Sequence, residues 1–164
     1  MHLYMKQKVF SWKDRFSIQD ESGLDKYYVE GKVFSIGKKL YIYDMESNEL
    51  AFVNQKVVSF MPKFSVEING EEVAVIKKKF TFLKPSYSIE GPGWDVQGDF
   101  MCHDYIITEG DNTIVSIHKK WMAWGDTFEL DVADESREVL AVAVVLAIDA
   151  VIDSQQSSSA AVSQ

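Results

Sequence analysis

Residues 139–152, VLAVAVVLAIDAVI, form a run that is apolar apart from one carboxylate, Asp149. The run is too short to cross a bilayer comfortably, since a spanning helix needs about 20 apolar residues. A helix without a polar face must be surrounded by other protein. Asp134-Glu135-Ser136, just before it, can cap a helix start and complement its dipole. We therefore predict a buried helix over about 137–152 and a disordered Ser- and Gln-rich tail over 154–164.

The part of the chain before this run is typical of an antiparallel β protein. Turn signals recur about every 8 to 12 residues, and β-branched and aromatic residues fill the intervals. Asn69-Gly70 and Gly110-Asp111-Asn112 contain residues that tolerate positive φ in hairpin turns. We predict strands near 8–11, 14–20, 27–34, 39–45, 49–58, 63–69, 71–80, 86–91, 94–100, 104–109, 112–121 and 127–133.

A hairpin pattern also repeats along the chain. Residues 50–68, 73–89 and 114–132 each contain an apolar strand that ends in lysine, a loop, and a strand that begins with an aromatic residue. Repeated hairpins favour a closed sheet, because closure removes exposed edges. A barrel of about twelve strands is too wide for strand side chains alone to fill. The sequence therefore predicts one mainly β domain over 1–153, a closed antiparallel barrel that encloses the apolar C-terminal helix.

Composition limits the classes of function. The chain has 164 residues, 46% of them hydrophobic, which favours a folded domain, and its net charge of −8 disfavours nucleic-acid binding. Cys102 is the single cysteine, so an internal disulfide is impossible and a reducing, cytoplasmic location is expected. We expect a monomer without a secretory signal or a transmembrane segment.

The familiar catalytic and metal-binding motifs are absent from the sequence. There is no Gly-rich phosphate loop and no Gly-x-Ser-x-Gly. Cys102-His103 pairs a nucleophile with a base, but adjacent residues of a strand point to opposite faces. His2, His103 and His118 lack the spacing of metal ligands. We therefore predict no enzymatic activity, no metal site and no cofactor.

Basic side chains supply the candidate ligand-binding residues: Lys77, Lys79, Lys84, His118 and Lys120. On strands, Lys77 and Lys79 share one face, as do His118 and Lys120. If neighbouring strands bring the two pairs together, charge-assisted bonds could hold an anionic headgroup. In the alternative interpretation the lysines are solvated strand ends that oppose aggregation. The acidic net charge favours this alternative, because its long-range field would repel an anionic surface.

Asp149 and the tryptophans each have two interpretations. Asp149 is either an acid with a perturbed pKa in a cavity or a polar latch between the helix and the barrel, and we favour the latch. Trp94, Trp121 and Trp124 lie in or near connecting segments. Exposed, they could contact a membrane interface or a partner; packed, they would plug one end of the barrel, which we favour.

The chain resembles the LURP-one-related family over residues 5 to about 153. The resemblance is carried by the lysine-ended repeats, by Gly98-Asp99-Phe100 before Tyr105-Ile106-Ile107, and by the terminal apolar helix with Asp149. It implies a tubby-like fold, in which a barrel of twelve strands surrounds a central helix. Tubby domains, which bind phosphoinositides, and phospholipid scramblases, which act at membranes with calcium, are the implied structural relatives.

The chain departs from these relatives in two respects. It has one cysteine where scramblases carry a Cys-rich segment, and no motif matches the basic residues that hold a phosphoinositide in tubby. The expected function is accordingly non-enzymatic binding of phospholipid headgroups, or of another small anion, at the barrel exterior. The protein would be cytoplasmic, with peripheral contact to the inner membrane face. The alternative is a protein-interaction scaffold without a small-molecule ligand.

Overall fold

A computed structural model describes residues 1–6, 15–32, 36–59, 61–79, 86–100, 102–122 and 125–161, with the backbone alone at 6, 121–122, 125–126 and 155–161. Twelve strands form a closed antiparallel barrel in which each strand pairs with its neighbours in sequence, and β1 closes the ring against β12. The strands are β1 (His2–Lys6), β2 (Phe16–Gln19), β3 (Asp25–Lys32), β4 (Lys39–Asp44), β5 (Glu49–Gln55), β6 (Lys63–Ile68), β7 (Glu71–Lys79), β8 (Ser86–Glu90), β9 (Trp94–Asp99), β10 (Asp104–Glu109), β11 (Asn112–Met122) and β12 (Gly125–Val132). The predicted closed barrel is confirmed.

Strand boundaries follow the alternation in the sequence. In β4, Leu40 and Ile42 are buried in the core, and Tyr41 and Tyr43 point to the outer wall. Each predicted strand from 14–20 onward overlaps a strand of the barrel. The predicted strand at 8–11 lies outside the described residues. The strand that closes the barrel, His2–Lys6, was not predicted. Its alternation of apolar and polar residues covers only five positions, and its partner β12 lies at the other end of the chain.

One helix, α1 (Glu138–Ala161), follows a single 3₁₀ turn over Glu135–Arg137. Residues 141–152 are each at most 6% exposed, so this segment lies inside the barrel as predicted. Asp134 caps the turn, and its carboxylate accepts a hydrogen bond from the backbone N–H of Ser136 at 2.9 Å. Among the described residues, no helix has both the length and the hydropathy of a membrane span.

The predicted end of the helix at residue 152 is too early. The backbone stays helical through 154–161, where we predicted a disordered tail, and residues 162–164 lie outside the described part of the chain. Ser154 is buried and its hydroxyl donates to the carbonyl of Ala150 at 2.8 Å, so this polar residue does not interrupt the helix.

The barrel has two ends that differ in their connections. We call the end where α1 begins the entry end; it carries tight turns such as Asn69-Gly70, with φ of 54° and 78°. The opposite, exit end carries connections such as those over 36–38 and 56–62. There Lys38 forms an ion pair with Asp153 of α1. Since the strands alternate in direction, odd-numbered strands end at the exit end and even-numbered strands end at the entry end.

Candidate functional site

Basic side chains are concentrated at one end of the barrel. Among the described residues, the only Lys and Arg side chains at the entry end are Lys26 and Arg137. The other described basic side chains lie at or near the exit end: Arg15, Lys32, Lys38, Lys39, Lys56, Lys63, Lys77, Lys78, Lys79, Lys119 and Lys120. The entry end carries the acidic residues Asp20, Glu21, Asp25, Asp44, Glu46, Glu49, Glu71, Glu109, Asp111, Asp131, Asp134, Glu135 and Glu138. Fewer of the described carboxylates lie near the exit end, namely Glu30, Asp99, Asp104 and Asp153, and three more, Glu72, Glu90 and Asp95, form ion pairs with lysines of that end. The net charge of −8 is therefore not a uniform field, and the argument that it would repel an anionic surface does not apply to the exit end.

Two pairs of lysines face each other across strands at the exit end. Lys32 of β3 lies opposite Lys39 of β4, and Lys63 of β6 lies opposite Lys77 of β7. All four are on the outer wall, because strand neighbours such as Phe64 point into the core. Like charges that are directly opposite in a sheet repel and destabilise it. A bound anion would relieve this repulsion.

The lysine pairs belong to a wider strip across β3 to β7, which we call the basic band. It consists of Lys32, Lys39, Lys56, Lys63, Lys77 and Lys79. Among the described residues, no carboxylate lies within ion-pair distance of Lys39 or Lys63. The ion pairs that the band does form involve partly exposed groups: Lys56 with Glu72 at 2.7 Å, Lys79 with Asp95 at 3.3 Å, and Lys77 with Glu90. Exposed ion pairs contribute little free energy, so these lysines can exchange a carboxylate for an external anion.

Aromatic side chains support one end of the band on the outer wall. The rings of Tyr28 and Tyr43 stack at 5.0 Å, and those of Tyr41 and Phe52 stack at 4.6 Å. The ammonium group of Lys32 lies 4.7 Å from the centroid of the Tyr41 ring. These cross-strand stacks stabilise the pairing of β3, β4 and β5, and the cation–π contact orients the Lys32 side chain.

The structure does not bring the predicted residues together in one site. Lys77 and Lys79 lie in the basic band, whereas β8, β9 and β10 separate them from His118 and Lys120 on β11. Nδ1 of His118 lies 2.8 Å from Asp104. Lys84 lies outside the described residues.

Lys120 has a structural role. It forms an ion pair with Glu129, whose side chain is buried on the outer wall. Nδ1 of His2 approaches the same carboxylate at 3.0 Å, though without the alignment of a hydrogen bond. Removing Lys120 would leave a buried carboxylate without its main counter-charge. The Lys120 side chain therefore neutralises Glu129 and is not part of the basic band.

Asp149 contacts the barrel through His103. Its Oδ1 lies 2.9 Å from Nε2 of His103, which sits with a φ of 52° in the turn between β9 and β10. The His103 ring also stacks on Phe128 at 4.3 Å. Burial raises the pKa of Asp149, and the hydrogen bond from His103 opposes that rise. This contact joins α1 to the rim at the exit end.

The phenol of Tyr105 is a second polar group in this part of the core. Its hydroxyl is buried and has no hydrogen-bond partner among the described residues. Burial raises the pKa of Tyr105, and the nearby Asp149 carboxylate raises it further. The apolar core around Tyr105 and Asp149 therefore raises the pKa of both groups.

Cys102 and His103 lie in a turn, not in a strand as assumed from the sequence. They still diverge, since His103 contacts Asp149 on α1 and the Cys102 side chain is exposed. A hydrogen bond to Asp99 raises the pKa of the Cys102 thiol. A raised pKa reduces the thiolate population, so this cysteine is a poor nucleophile at neutral pH. Among the described residues, no three His, Cys, Asp or Glu side chains converge as metal ligands.

Trp94 is buried at the entry end. Its Nε1 donates to Glu109 at 3.4 Å, and Glu109 also accepts a bond from Arg137 at 2.9 Å. The side chain of Trp121 and all of Trp124 lie outside the described residues, so their packing as a plug stays a prediction.

Most of the basic band was missed at the sequence level. Only Lys77 and Lys79 had been singled out, because they form a visible run with Lys78. The lysine-ended repeats could have predicted the basic band, because each repeat places a lysine at the end of an odd-numbered strand. The alternation of strand direction then brings these lysines to one end.

Comparisons with known proteins agree with the architecture. The profile of the LURP-one-related family matches residues 1–149. The uncharacterized protein YxjI of Bacillus subtilis (strain 168) is 35% identical over 159 residues, which cover 97% of this chain and 98% of YxjI. An X-ray structure of an Arabidopsis thaliana protein superposes with a TM-score of 0.57 at 15% identity, covering 88% of both chains, and this likeness supports the fold alone. The chain therefore belongs to the LURP-one-related family.

Proposed function

We propose that this chain is a non-enzymatic domain that binds the headgroups of anionic phospholipids, or another small phosphate-like anion, through the basic band. The two cross-strand lysine pairs, Lys32 with Lys39 and Lys63 with Lys77, carry the proposal. Among the described residues, Lys39 and Lys63 have no carboxylate within ion-pair distance, so an anion held between the paired strands would supply a counter-charge. The band lies on the outer wall, because α1 fills the barrel interior.

The distribution of charge favours a surface as the binding partner over an isolated anion. An anionic surface would attract the exit end and repel the entry end, so the barrel would approach it with α1 roughly along the surface normal. The cytoplasmic leaflet, with its negative surface potential, is the surface of this kind that a cytoplasmic protein meets. In this proposal the protein acts as a monomer that is peripheral at the inner membrane face.

Vesicle co-sedimentation of the full chain tests the proposal. We expect binding to phosphatidylcholine vesicles that contain phosphatidylserine, weaker binding to phosphatidylcholine alone, and loss of binding at high salt. Lys39→Gln with Lys63→Gln breaks no observed ion pair with a carboxylate. At about 1 kcal/mol per lysine near a charged surface, it should weaken binding roughly tenfold or more. Lys77→Glu with Lys79→Glu should weaken binding further.

A matched control changes the charge equally at the other end. Leu24→Glu with Met45→Glu adds the same net charge at exposed positions of the entry end. Its binding should stay within about twofold of wild type, because the distance to the surface exceeds the Debye length of about 10 Å. Equal effects of the two double variants would mean that net charge, not the basic band, governs binding. Absence of binding at low salt would contradict the headgroup proposal and favour the protein-interaction scaffold.

A further inference from the structure

Three apolar side chains are exposed at the exit end, in two neighbouring connections next to the basic band. Ile36 is 84% exposed, Val57 is 49% exposed and Val58 is fully exposed. They belong to two connections, the one between β3 and β4 and the one between β5 and β6. We call these three residues the apolar tip. Among the described residues, the other large exposed hydrophobic side chains, Leu24 and Met45, lie in separate turns at the entry end.

The two connections that form the apolar tip are held together. The backbone N–H of Lys38 donates to Oε1 of Gln55, and the N–H of Gln55 donates to the carbonyl of Lys38, each at 2.9 Å. Gly37 has a φ of 80°, and a Cβ at this position would lie 2.6 Å from Cγ1 of Val57. Glycine at this positive φ lets the two connections approach closely without strain. The apolar side chains are therefore presented by a defined structure.

We propose that the apolar tip inserts into the interfacial region of an anionic bilayer when the basic band binds headgroups. The inference rests on the proposed function and adds that the partner is a lipid surface, not a soluble anion. Isolated exposed apolar residues are ordinary on protein surfaces, but a contiguous group of them marks a candidate interaction site.

The charge around the apolar tip identifies the partner. Lys39 and Lys63 begin the strands that follow the two connections, Lys32 ends β3, and Lys56 is the first residue after β5. Lysine side chains can extend along the interface and place their ammonium groups at the phosphates while apolar neighbours reach below them. A second copy of the chain would bring one basic band against another, which disfavours self-association through this surface.

Environment-sensitive fluorescence at the tip tests insertion. In a Cys102→Ser background, a nitrobenzoxadiazole label on Val58→Cys reports the polarity at the apolar tip, and the same label on Leu24→Cys serves as the matched control. With vesicles that contain phosphatidylserine, we expect a blue shift and quenching by nitroxide-labelled lipid at position 58 and no change at position 24. Ile36→Ser with Val57→Ser and Val58→Ser should reduce vesicle affinity roughly tenfold or more, while binding of soluble glycerophosphoserine stays unchanged.

The possible results separate the two proposals. If the protein co-sediments with anionic vesicles and the label at position 58 stays in a polar environment, the headgroup proposal stands and the insertion is overturned. If the emission of the label at position 58 shifts equally with neutral vesicles, the apolar tip inserts without headgroup binding by the basic band, and the proposed coupling of the two is overturned. If neither signal appears, both proposals fail. A blue shift that grows with protein concentration without vesicles would show that a second copy covers the tip and would overturn the inference.

Discussion

The two ends of the barrel use their charged residues differently. At the entry end, charged groups are buried or paired around the start of α1: Glu138 is 3% exposed and bonds to Lys26 at 2.8 Å and to the hydroxyl of Tyr27 at 2.6 Å. At the exit end, lysines face lysines and apolar side chains are exposed. The comparison indicates that the charged groups around Glu138 contribute stability, whereas the lysines on the outer wall at the exit end carry repulsion that a ligand can relieve. Substitutions of Glu138 and of the basic band should therefore affect different measurements.

The largest effect on stability is expected from Glu138→Ala. Burial and the hydrogen bond to Glu138 raise the pKa of Tyr27 above its usual value, so its hydroxyl stays a donor to this carboxylate. Removing the carboxylate leaves that hydroxyl and the ammonium group of Lys26 without their shared acceptor. The free energy of unfolding in urea should fall by about 2–4 kcal/mol. Glu135→Ala, an exposed acid in the preceding turn, should change it by less than about 0.5 kcal/mol.

Vesicle binding is the second readout for these entry-end variants. Folded Glu138→Ala protein should bind anionic vesicles like wild type, because the basic band lies at the other end. A stability close to wild type would contradict the assignment of Glu138 as the anchor of α1. A selective loss of vesicle binding by folded protein would contradict the separation of roles between the ends.

An intermediate effect is expected from the contact between Asp149 and His103, as a dependence of stability on pH. Burial raises the native pKa of Asp149 above 3.8, so the folded protein keeps a proton that the unfolded chain has released. The free energy of unfolding should therefore fall as pH rises from about 4 through the raised pKa. Asp149→Asn removes this contribution, and urea unfolding over a pH series should show a flatter profile.

A substitution of His103 tests the same contact independently of Asp149. His103→Asn keeps a residue that tolerates positive φ and removes the imidazole that holds the pKa of Asp149 down. The decline of stability should then extend to higher pH, with a loss of about 1 kcal/mol near neutral pH. Identical pH profiles for wild type, Asp149→Asn and His103→Asn would mean that the contact does not control the ionisation of Asp149.

The smallest effect on stability is expected in the basic band, and it has the opposite sign. Lys39→Gln or Lys63→Gln relieves a cross-strand repulsion and should raise the free energy of unfolding by a few tenths of a kcal/mol at low salt. The gain should disappear at high salt, because exposed charges are screened. Lys56→Gln, which breaks the ion pair with Glu72, is the control and should not stabilise the protein. A loss of stability in Lys39→Gln and Lys63→Gln would show that these lysines have stabilising partners and would weaken the case for an anion site.

The local pattern of the sequence predicted much of the fold. Alternation of apolar and polar residues located most strands, and residues that tolerate positive φ located turns such as the one at Gly110, with a φ of 58°. These signals are local, because the residues involved are neighbours in the chain. The apolar run at 139–152 is also a local signal. It predicted a buried helix inside a sheet, because a helix with no polar face cannot be exposed to water.

The candidate site depended on contacts between residues far apart in the chain. The sequence by itself determined that lysines close several apolar strands and that Asp149 interrupts an apolar helix. Only the tertiary structure decided that Lys63 faces Lys77, that His103 meets Asp149, and that the apolar tip lies beside the basic band. The physical reason is register: a shift of one residue turns every side chain of a strand to the other face, and the register follows from the packing of the whole barrel around its helix.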